Sequence, residues 1–296
     1  MADAGNRRKT SRKLLEDLPV PAWTSGADGQ RDYINKAYLE FTGSTSDKEI
    51  GEGWADAVHP DDIAEVYTAS REAVLTGKPY DITYRLKRHD GKYRWVHDQG
   101  KPRRGKKDEL LGFIGSFVDV TETKMQADQL AFIATHDPLT ELPNRRILEG
   151  NLERAIAKAR RGTKSALMFI NLDGFHRVND ALGHDTGDNV LKEIAQVIAA
   201  WLRQEDLLVR LDGDEFAALL EGQDQAGVEI AAERMRKAVD GYREDDWNFS
   251  LSLSIGIAMI YGGVKGNEIM SRGDEALNAA KEAGRNRVAV FGQQTR

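Results

Sequence analysis

Residues 201–216 read Trp-Leu-Arg-Gln-Glu-Asp-Leu-Leu-Val-Arg-Leu-Asp-Gly-Asp-Glu-Phe. Two largely apolar runs, 207–211 and 216–220, flank the acidic turn Asp212-Gly213-Asp214-Glu215, a pattern typical of a β-hairpin. Glycine lets a ligand approach the backbone closely, and carboxylate oxygens are ligands of hard divalent metals. The stretch therefore predicts a hairpin whose tip holds a divalent metal close to a phosphate.

The composition indicates two domains and excludes several classes of function. With 296 residues, 40% of them hydrophobic, the chain can bury more than one core. A count of 42 basic against 48 acidic residues gives a net charge of −6, which argues against DNA binding. The absence of cysteine excludes disulfides, thiolate zinc sites and iron–sulfur clusters. Because no apolar run has the length of a membrane span and no signal-peptide pattern begins the chain, we expect a cytoplasmic protein.

The first domain is predicted over residues 14–120, after a basic tail at 1–13. Strand-like segments at 31–35, 80–88, 93–100 and 110–120 surround short helical segments, with turn signals between them. The closing segment 112–122, Gly-Phe-Ile-Gly-Ser-Phe-Val-Asp-Val-Thr-Glu, resembles the end of a PAS sensor domain. That resemblance implies an antiparallel sheet with short helices, in which Asp119 and Thr121 tie the last strand to the outgoing helix.

The ligand of this first domain is left open by the sequence. His59 is interpreted as a structural residue beside a helix rather than as a haem ligand. A pocket for a flavin or a small acid remains an alternative to a filled interior. We expect five aromatic residues to fill the core, namely Trp23, Trp54, Tyr84, Trp95 and Phe117.

Residues 121–135 are predicted to form a linker helix. Met125, Ala127, Leu130 and Ile133 recur at approximate helical spacing. The helix is predicted to pair with its copy in a homodimer as a short coiled coil, and packing on its own domain is the alternative.

From residue 136 to 296 the pattern changes to strands alternating with long helices. Helices are predicted at about 145–161, 174–181, 187–202, 227–241 and 266–283, and strands at about 166–171, 249–260 and 287–291, besides the acidic hairpin. The order strand–helix–helix–hairpin–helix–strand predicts an α/β sandwich of the ferredoxin-like type.

This second domain resembles the GGDEF family, the diguanylate cyclases that join two GTP molecules into cyclic di-GMP. The resemblance implies that its sandwich is nucleotidyl-cyclase-like. The segments 137–140 and 142–146 match the opening motif of the family, and on physical grounds they form a turn and a capped helix start. At the hairpin, Gly213, Asp214 and Glu215 match the catalytic signature, whereas Asp212 replaces its first glycine. The substitution adds bulk and negative charge facing the phosphates.

The resemblance implies a Mg²⁺ or Mn²⁺ site at Asn171, the Leu172 carbonyl and Asp214. The first of these positions is normally aspartate, and asparagine coordinates without negative charge, so we expect weakened metal affinity. His176 replaces a phosphate-facing lysine and is mostly neutral at pH 7. Whether Asp212 compensates for Asn171 stays open.

The remaining motifs imply contacts with guanine, phosphate and product. Asn179 and Asp188 match the positions that read guanine, although Asp188 alternatively serves as a charge at the N-terminus of a helix. Lys281 and Arg285, four residues apart on one predicted helical face, resemble a triphosphate-binding pair. The site that binds cyclic di-GMP as an inhibitor is implied at Arg203, Asp206 and Arg234, with a surface ion pair as the alternative.

These observations predict a cyclic di-GMP signalling protein of the diguanylate cyclase family, controlled by a PAS sensor, with reduced or lost turnover. One alternative is a receptor that binds cyclic di-GMP or GTP without catalysis and acts on a partner protein such as a phosphodiesterase. A second alternative is a dimerising sensor scaffold with no nucleotide role.

Overall fold

The computed structural model describes residues 12–242 and 247–293 of the chain. The chain forms two compact units, the first ending at Asp128 and the second beginning at Gln129, so the division falls inside the predicted linker helix. The basic tail predicted at 1–13 lies outside the described residues except for its last two positions. Within the described ranges, no helix has the length and apolar character needed to cross a membrane.

The first unit is a five-stranded antiparallel sheet packed against short helices, as predicted for a PAS fold. The strand order is β2-β1-β5-β4-β3. Strand β1 was not predicted from the sequence, because it is only four residues long. The elements are β1 Ala22–Ser25, β2 Arg31–Ile34, α1 Lys36–Thr42, α2 Ser46–Glu49, a 3₁₀ helix Gly53–Ala57, α3 Ile63–Thr76, β3 Tyr80–Lys87, β4 Tyr93–Arg104 and β5 Leu110–Asp119.

A charged pair lies inside the core of this first unit. The guanidinium of Arg31 is 3.8 Å from the carboxylate of Asp98, and both side chains are almost fully buried. The Arg31 guanidinium also lies over the rings of Trp23 and Trp54, at 4.9 and 4.7 Å from their centroids. Burial raises the pKa of the Asp98 carboxyl, and Arg31 opposes that shift. The interior is thus occupied by the chain's own cation and aromatic rings.

The predicted junction between β5 and helix α4 (Thr121–Ile133) is confirmed. The Asp119 carboxylate accepts from the Thr121 backbone N–H at 2.9 Å, and the Thr121 hydroxyl accepts from the Trp95 backbone N–H at 2.9 Å. Of the five aromatic residues predicted for the core, four are buried and Trp95 is not. Trp95 is half-buried because its ring lies beneath the side chains of Arg85 and Lys124.

The second unit is a five-stranded mixed sheet with helices on both faces. The strand order is β10-β9-β6-β8-β7, and only β9 and β10 run parallel. The elements are α5 Arg145–Ala159, β6 Ser165–Asp173, α6 Phe175–Leu182, α7 His184–Ala199, β7 Leu207–Asp212, β8 Glu215–Glu221, α8 Gln225–Val239, β9 Ser252–Ile260, α9 Gly266–Glu282 and β10 Val288–Val290.

The central strand β6 contributes to two separate cores. All nine of its residues are buried. Met168 and Ile170 face the core formed with α6, α7 and α8, whereas Leu167 and Phe169 face the core formed with α5 and α9. Because side chains alternate along a strand, Asn171 continues the face covered by α9.

One predicted helix boundary and one predicted helical face were wrong in ways that affect the site. Helix α7 begins at His184 rather than at residue 187, so Asp188 lies in its second turn and is not an N-terminal charge. Helix α9 ends at Glu282, because Gly284 follows with a φ of 116°. Arg285 therefore lies beyond the helix rather than on one face of it with Lys281. A glycine just past a helix is the usual signal for such an ending.

Candidate active site

The end of strand β6 is joined to the acidic hairpin by main-chain pairing. Asn171 pairs with Glu215 of β8 on one side and with Ser254 of β9 on the other. One residue further, the Leu172 N–H donates to the carbonyl of Asp214 at 3.1 Å. The predicted hairpin is confirmed, and its tip lies directly beside the strand end.

The hairpin turns through two residues, Gly213 and Asp214. Asp212 pairs with Glu215 at the ends of β7 and β8, after a register shift between Arg210 and Asp212. Gly213 has a φ of 45°, in the left-handed region that favours glycine. The exposed side chain of Asp212 accepts from the Gly213 N–H through Oδ1 at 2.9 Å.

Arg210 fixes the hairpin tip to the opening motif. Its Nε and Nη2 both donate to the carbonyl of Gly213, at 2.9 and 2.7 Å, and its Nη1 donates to the Asp137 carboxylate at 2.8 Å. Asp137 also accepts from the N–H and the hydroxyl of Thr140. Burial disfavours the charged form of Asp137, but the hydrogen bonds from Thr140 and Arg210 outweigh it and lower its pKa. The opening motif thus forms the predicted turn.

Sequence reasoning missed Arg210. Its signal was present, because an arginine stood inside a run of leucine and valine just before the acidic turn. Such a residue needs an acceptor for its guanidinium once the strand is packed.

Asn171, Leu172 and Asp214 come together as a set of hard oxygen donors with a single formal negative charge. Burial raises the pKa of the Asp214 carboxyl, while Lys281 and a side-chain hydrogen bond with Asn171 oppose the shift. A carboxylate, an amide oxygen and a main-chain carbonyl suit magnesium, for which substrate phosphates and water complete the shell. The set fits the implied metal in donor type. Among the described residues, however, no group of three or more acidic or histidine side chains forms a metal cluster.

The two predicted phosphate-binding cations lie near the same strand end. The Lys281 ammonium, in the last turn of α9, is 3.7 Å from the Glu215 carboxylate. The Nε of Arg285 is 3.8 Å from the carboxylate of Asp173, and the Arg285 side chain remains 63% exposed. His176 is exposed in the first turn of α6, immediately after β6.

The predicted guanine-reading residues lie on the neighbouring helices α6 and α7. Asn179 is half-buried, and a Cβ at position 187 would lie only 2.0 Å from its Oδ1. Gly187 thereby lets the Asn179 side chain approach the start of α7, where Asp188 is exposed. Gly183, with a φ of 86°, separates the two helices.

The residues predicted to bind product are only partly brought together. The Asp206 carboxylate accepts from the backbone N–H groups of Arg203 and Glu221, at 2.9 and 3.3 Å. The Arg203 side chain is exposed, and so is that of Arg234 on α8. No hydrogen bond or ion pair within residues 12–242 and 247–293 joins either guanidinium to Asp206.

Comparison with known proteins matches both units. A family profile described as "Diguanylate cyclase, GGDEF domain" matches residues 134–287, and one described as "PAS fold" matches residues 31–117. The chain is 33% identical over 290 residues to an uncharacterised protein, y4lL, of Sinorhizobium fredii, covering 95% of this chain and 35% of that protein. It is 42% identical over 166 residues to the bifunctional diguanylate cyclase/cyclic di-GMP phosphodiesterase MucR of Pseudomonas aeruginosa, covering 55% of this chain and 24% of that protein. The chain thus spans about a third or less of the length of these two relatives.

A solved structure of similar fold contains a bound nucleotide. The coiled coil and GGDEF domain of DgcB from Caulobacter crescentus, in complex with c-di-GMP, aligns with a TM-score of 0.52 and 32% identity. The alignment covers 58% of this chain and 93% of that chain.

Proposed function

We propose that this chain, which belongs to the diguanylate cyclase (GGDEF) family and carries a PAS fold ahead of that domain, binds GTP at the end of β6 and converts it to cyclic di-GMP only slowly. Family membership follows from the profile match over residues 134–287, just over half of the 296 residues. In the family reaction the 3′-hydroxyl of each GTP attacks the α-phosphate of the other and pyrophosphate leaves from each, so two domains must meet.

Each group of residues has a separate part in this proposal. Asn179 and Asp188 select guanine through its hydrogen-bonding edge. Lys281 and Arg285 supply positive charge to the phosphates, and His176 adds a weaker contact. A divalent metal held by Asn171, the Leu172 carbonyl and Asp214 would neutralise phosphate charge and lower the pKa of the attacking hydroxyl.

The observation that carries the prediction of slow turnover is the charge at the strand end. Asn171 is neutral and shares a side-chain hydrogen bond with Asp214, so one carboxylate faces the metal position where the family pattern has two. The Mg²⁺ ion binds best where several anionic oxygens balance it. We therefore infer that weak metal binding, rather than loss of the nucleotide cleft, limits the reaction.

The test is a cyclase assay on four proteins, namely wild type, Asn171→Asp, Asp212→Gly and the double variant, each with Mg²⁺ and with Mn²⁺. We expect Asn171→Asp to raise turnover by at least about tenfold, because loss of even an outer-shell partner of a metal ligand typically costs about 10–100-fold in metal affinity or activity. Asp212→Gly alone should change turnover little, and the double variant should be fastest.

A matched control makes the same chemical change away from the site. Asn151 lies on α5, where its side chain donates to the Ile147 carbonyl, so Asn151→Asp should leave turnover unchanged. Wild-type turnover equal to that of the Asn171→Asp variant would contradict the proposed metal defect. Absence of GTP binding by every variant would exclude the cyclase function itself.

A second candidate function, that of a cyclic di-GMP receptor, is favoured by the free arginine side chains. The guanidinium groups of Arg203 and Arg234 bond no other described residue, and Arg234 lies exposed on α8. Guanidinium groups suit both phosphate and the face of guanine. Calorimetry with cyclic di-GMP should give binding to the wild type and a loss of at least about tenfold in Arg203→Ala, since each lost charge-assisted contact costs about 1.5–3 kcal/mol. Equal affinity in the two proteins would exclude this site.

We also propose that helix α4 mediates a homodimer. Met125, Leu130 and Ile133 of this helix expose 63%, 69% and 44% of their surfaces. Light scattering should give twice the mass of the chain for the wild type and a monomer for Leu130→Glu, whereas a monomeric wild type would contradict the proposal.

A further inference from the structure

The turn after helix α9 has an unusual backbone. Arg285 and Asn286 both adopt positive φ values, of 62° and 48°. Residues with a Cβ rarely occupy this region, and two in succession are rarer still. Such a conformation persists only where surrounding contacts fix it, and it often marks a functional position.

Three hydrogen bonds hold Asn286 in this turn. Its backbone N–H donates to the Asp173 carboxylate at 3.2 Å. Its side-chain amide donates to Asp240 at 2.8 Å, and its side-chain oxygen accepts from Arg236 at 2.6 Å. Arg236 and Asp240 belong to α8 and its C-terminal end, so the turn is clamped between α8 and the end of β6.

Asp173 is the buried end of this clamp. Its carboxylate accepts from the hydroxyls of Ser252 and Ser254, all at 2.9 Å, besides the Asn286 N–H. The residue is 7% exposed and follows Asn171 by two positions on the same face of β6. Both of its oxygens are therefore engaged by donors from β9 and the turn, and the carboxylate joins three segments at the strand end.

We infer that Asp173 is a positioning residue for the nucleoside triphosphate: it fixes the Arg285–Asn286 turn so that the Arg285 guanidinium faces the β- and γ-phosphates. This inference rests on the proposed GTP site. Among the described residues, the exposed Arg285 guanidinium has only the 3.8 Å contact with Asp173, so it is available to a phosphate while the Arg285 backbone is held. A guanidinium on an immobile backbone loses less entropy on binding than one on a mobile turn.

A purely electrostatic role and a positioning role for Asp173 predict opposite effects of Asp173→Asn on triphosphate affinity. Removing a negative charge near the phosphates would strengthen triphosphate binding if Asp173 acted only through its charge. If Asp173 holds the turn, the variant should bind the triphosphate about tenfold more weakly, the scale typical of lost supporting hydrogen bonds. Its affinity for GMP, which lacks the β- and γ-phosphates, should stay within about twofold, as expected of a change remote from that ligand.

The experiment is calorimetry on the full chain with 3′-deoxy-GTP, which lacks the attacking hydroxyl, and with GMP. The variants are Asp173→Asn and Asn286→Gly, because glycine accepts the positive φ of Asn286 while removing the links to α8. We expect both to lower the ratio of 3′-deoxy-GTP affinity to GMP affinity. Asp224→Asn, which keeps a side chain able to cap the start of α8, is the control and should leave the ratio unchanged.

Hydrogen exchange at residues 284–287 gives a readout without nucleotide, and we expect faster exchange in both variants. If the wild type binds 3′-deoxy-GTP, an affinity ratio in the two variants equal to that of the wild type would overturn the inference. Equal losses of affinity for both ligands would give that same result. If the wild type binds neither 3′-deoxy-GTP nor GMP, the proposed function is refuted, and so is the role of Arg285 in phosphate binding.

Discussion

Replacing Arg210 by leucine should loosen the hairpin tip more than an ordinary surface substitution would. Three hydrogen bonds leave this guanidinium, one to the Asp137 carboxylate and two to the Gly213 carbonyl. The side chains of Arg210 and Asp137 are only 10% and 20% exposed. The substitution therefore leaves a poorly hydrated carboxylate and an unpaired carbonyl.

The expected loss of hairpin stability in Arg210→Leu lies between the values for a buried and an exposed ion pair. Removing one partner of a fully buried ion pair costs about 3–5 kcal/mol, whereas an exposed pair contributes about 0–1 kcal/mol. Asp137 keeps its two hydrogen bonds from Thr140, and water reaches part of its side chain. We expect Arg210→Leu to lower the free energy of opening of this hairpin by about 2–3 kcal/mol. Arg210→Lys keeps the charge but not the planar fork, so it should cost about half as much.

The assay is amide hydrogen exchange across β7 and β8 in the full chain, since a local probe is not affected by the other unit. A double-mutant cycle with Asp137→Asn should give a coupling energy of about 1–2 kcal/mol. If Arg210→Leu lowers the free energy of opening by less than about 0.5 kcal/mol, the Arg210–Asp137 pair contributes no more than an exposed ion pair. That result would refute the conclusion that it fixes the hairpin to the opening motif.

Three further perturbations have expected outcomes. Folding lowers the pKa of Asp137, so the stability that its ionised carboxylate contributes is complete above about pH 4 and is lost as the pH falls through the lowered pKa. Hydrogen-exchange rates in the wild type and in Asp137→Asn should therefore become equal only in acid. Gly256→Ala should destabilise the second unit by about 1–3 kcal/mol or prevent its folding, seen by thermal unfolding, because a Cβ there would lie 2.1 Å from the backbone of α9. Asp98→Asn should destabilise the first unit by about 3–5 kcal/mol, seen as faster exchange in β4, because it leaves the buried Arg31 charge unpaired.

The sequence predicted the elements whose apolar patterns were long. Strand β6, helix α5 and the hairpin were found within a few residues of their observed bounds, because burial on one or two faces imposes a period on the residues. Strand β1 has four residues, too few to establish alternation, and it was missed. The wrong start of α7 and the wrong placement of Arg285 on α9 arose where glycines, rather than the apolar pattern, determine where a helix begins or ends.

The residue types in the site were predictable, whereas the contacts between them were not. Asn171, Leu172 and Asp214 were placed in one site by family resemblance, and main-chain pairing does bring them together. The roles of Arg210 and Asp173 depend on segments far apart in the sequence, such as the Asp173 contacts with Ser252, Ser254 and Asn286. A local sequence pattern does not predict which hydrogen-bond donor will contact a buried carboxylate in the folded protein.

The carboxylates near β6 differ in what they already bind, and this decides which of them can replace the charge missing at Asn171. Asp173 has both oxygens occupied, as described above. Asp212 has a free oxygen, but it lies on β7, which is separated from β6 by β8. Neighbouring strands are about 4.8 Å apart, so the two backbones are nearly 10 Å apart, whereas Mg²⁺ binds oxygen at about 2.1 Å. Asp212 could approach an ion held at Asn171 and Asp214 only with its side chain extended toward β6, and Arg210 restrains the hairpin tip beside it. We therefore expect Asn171→Asp to restore turnover more than Asp212 does as a substitute.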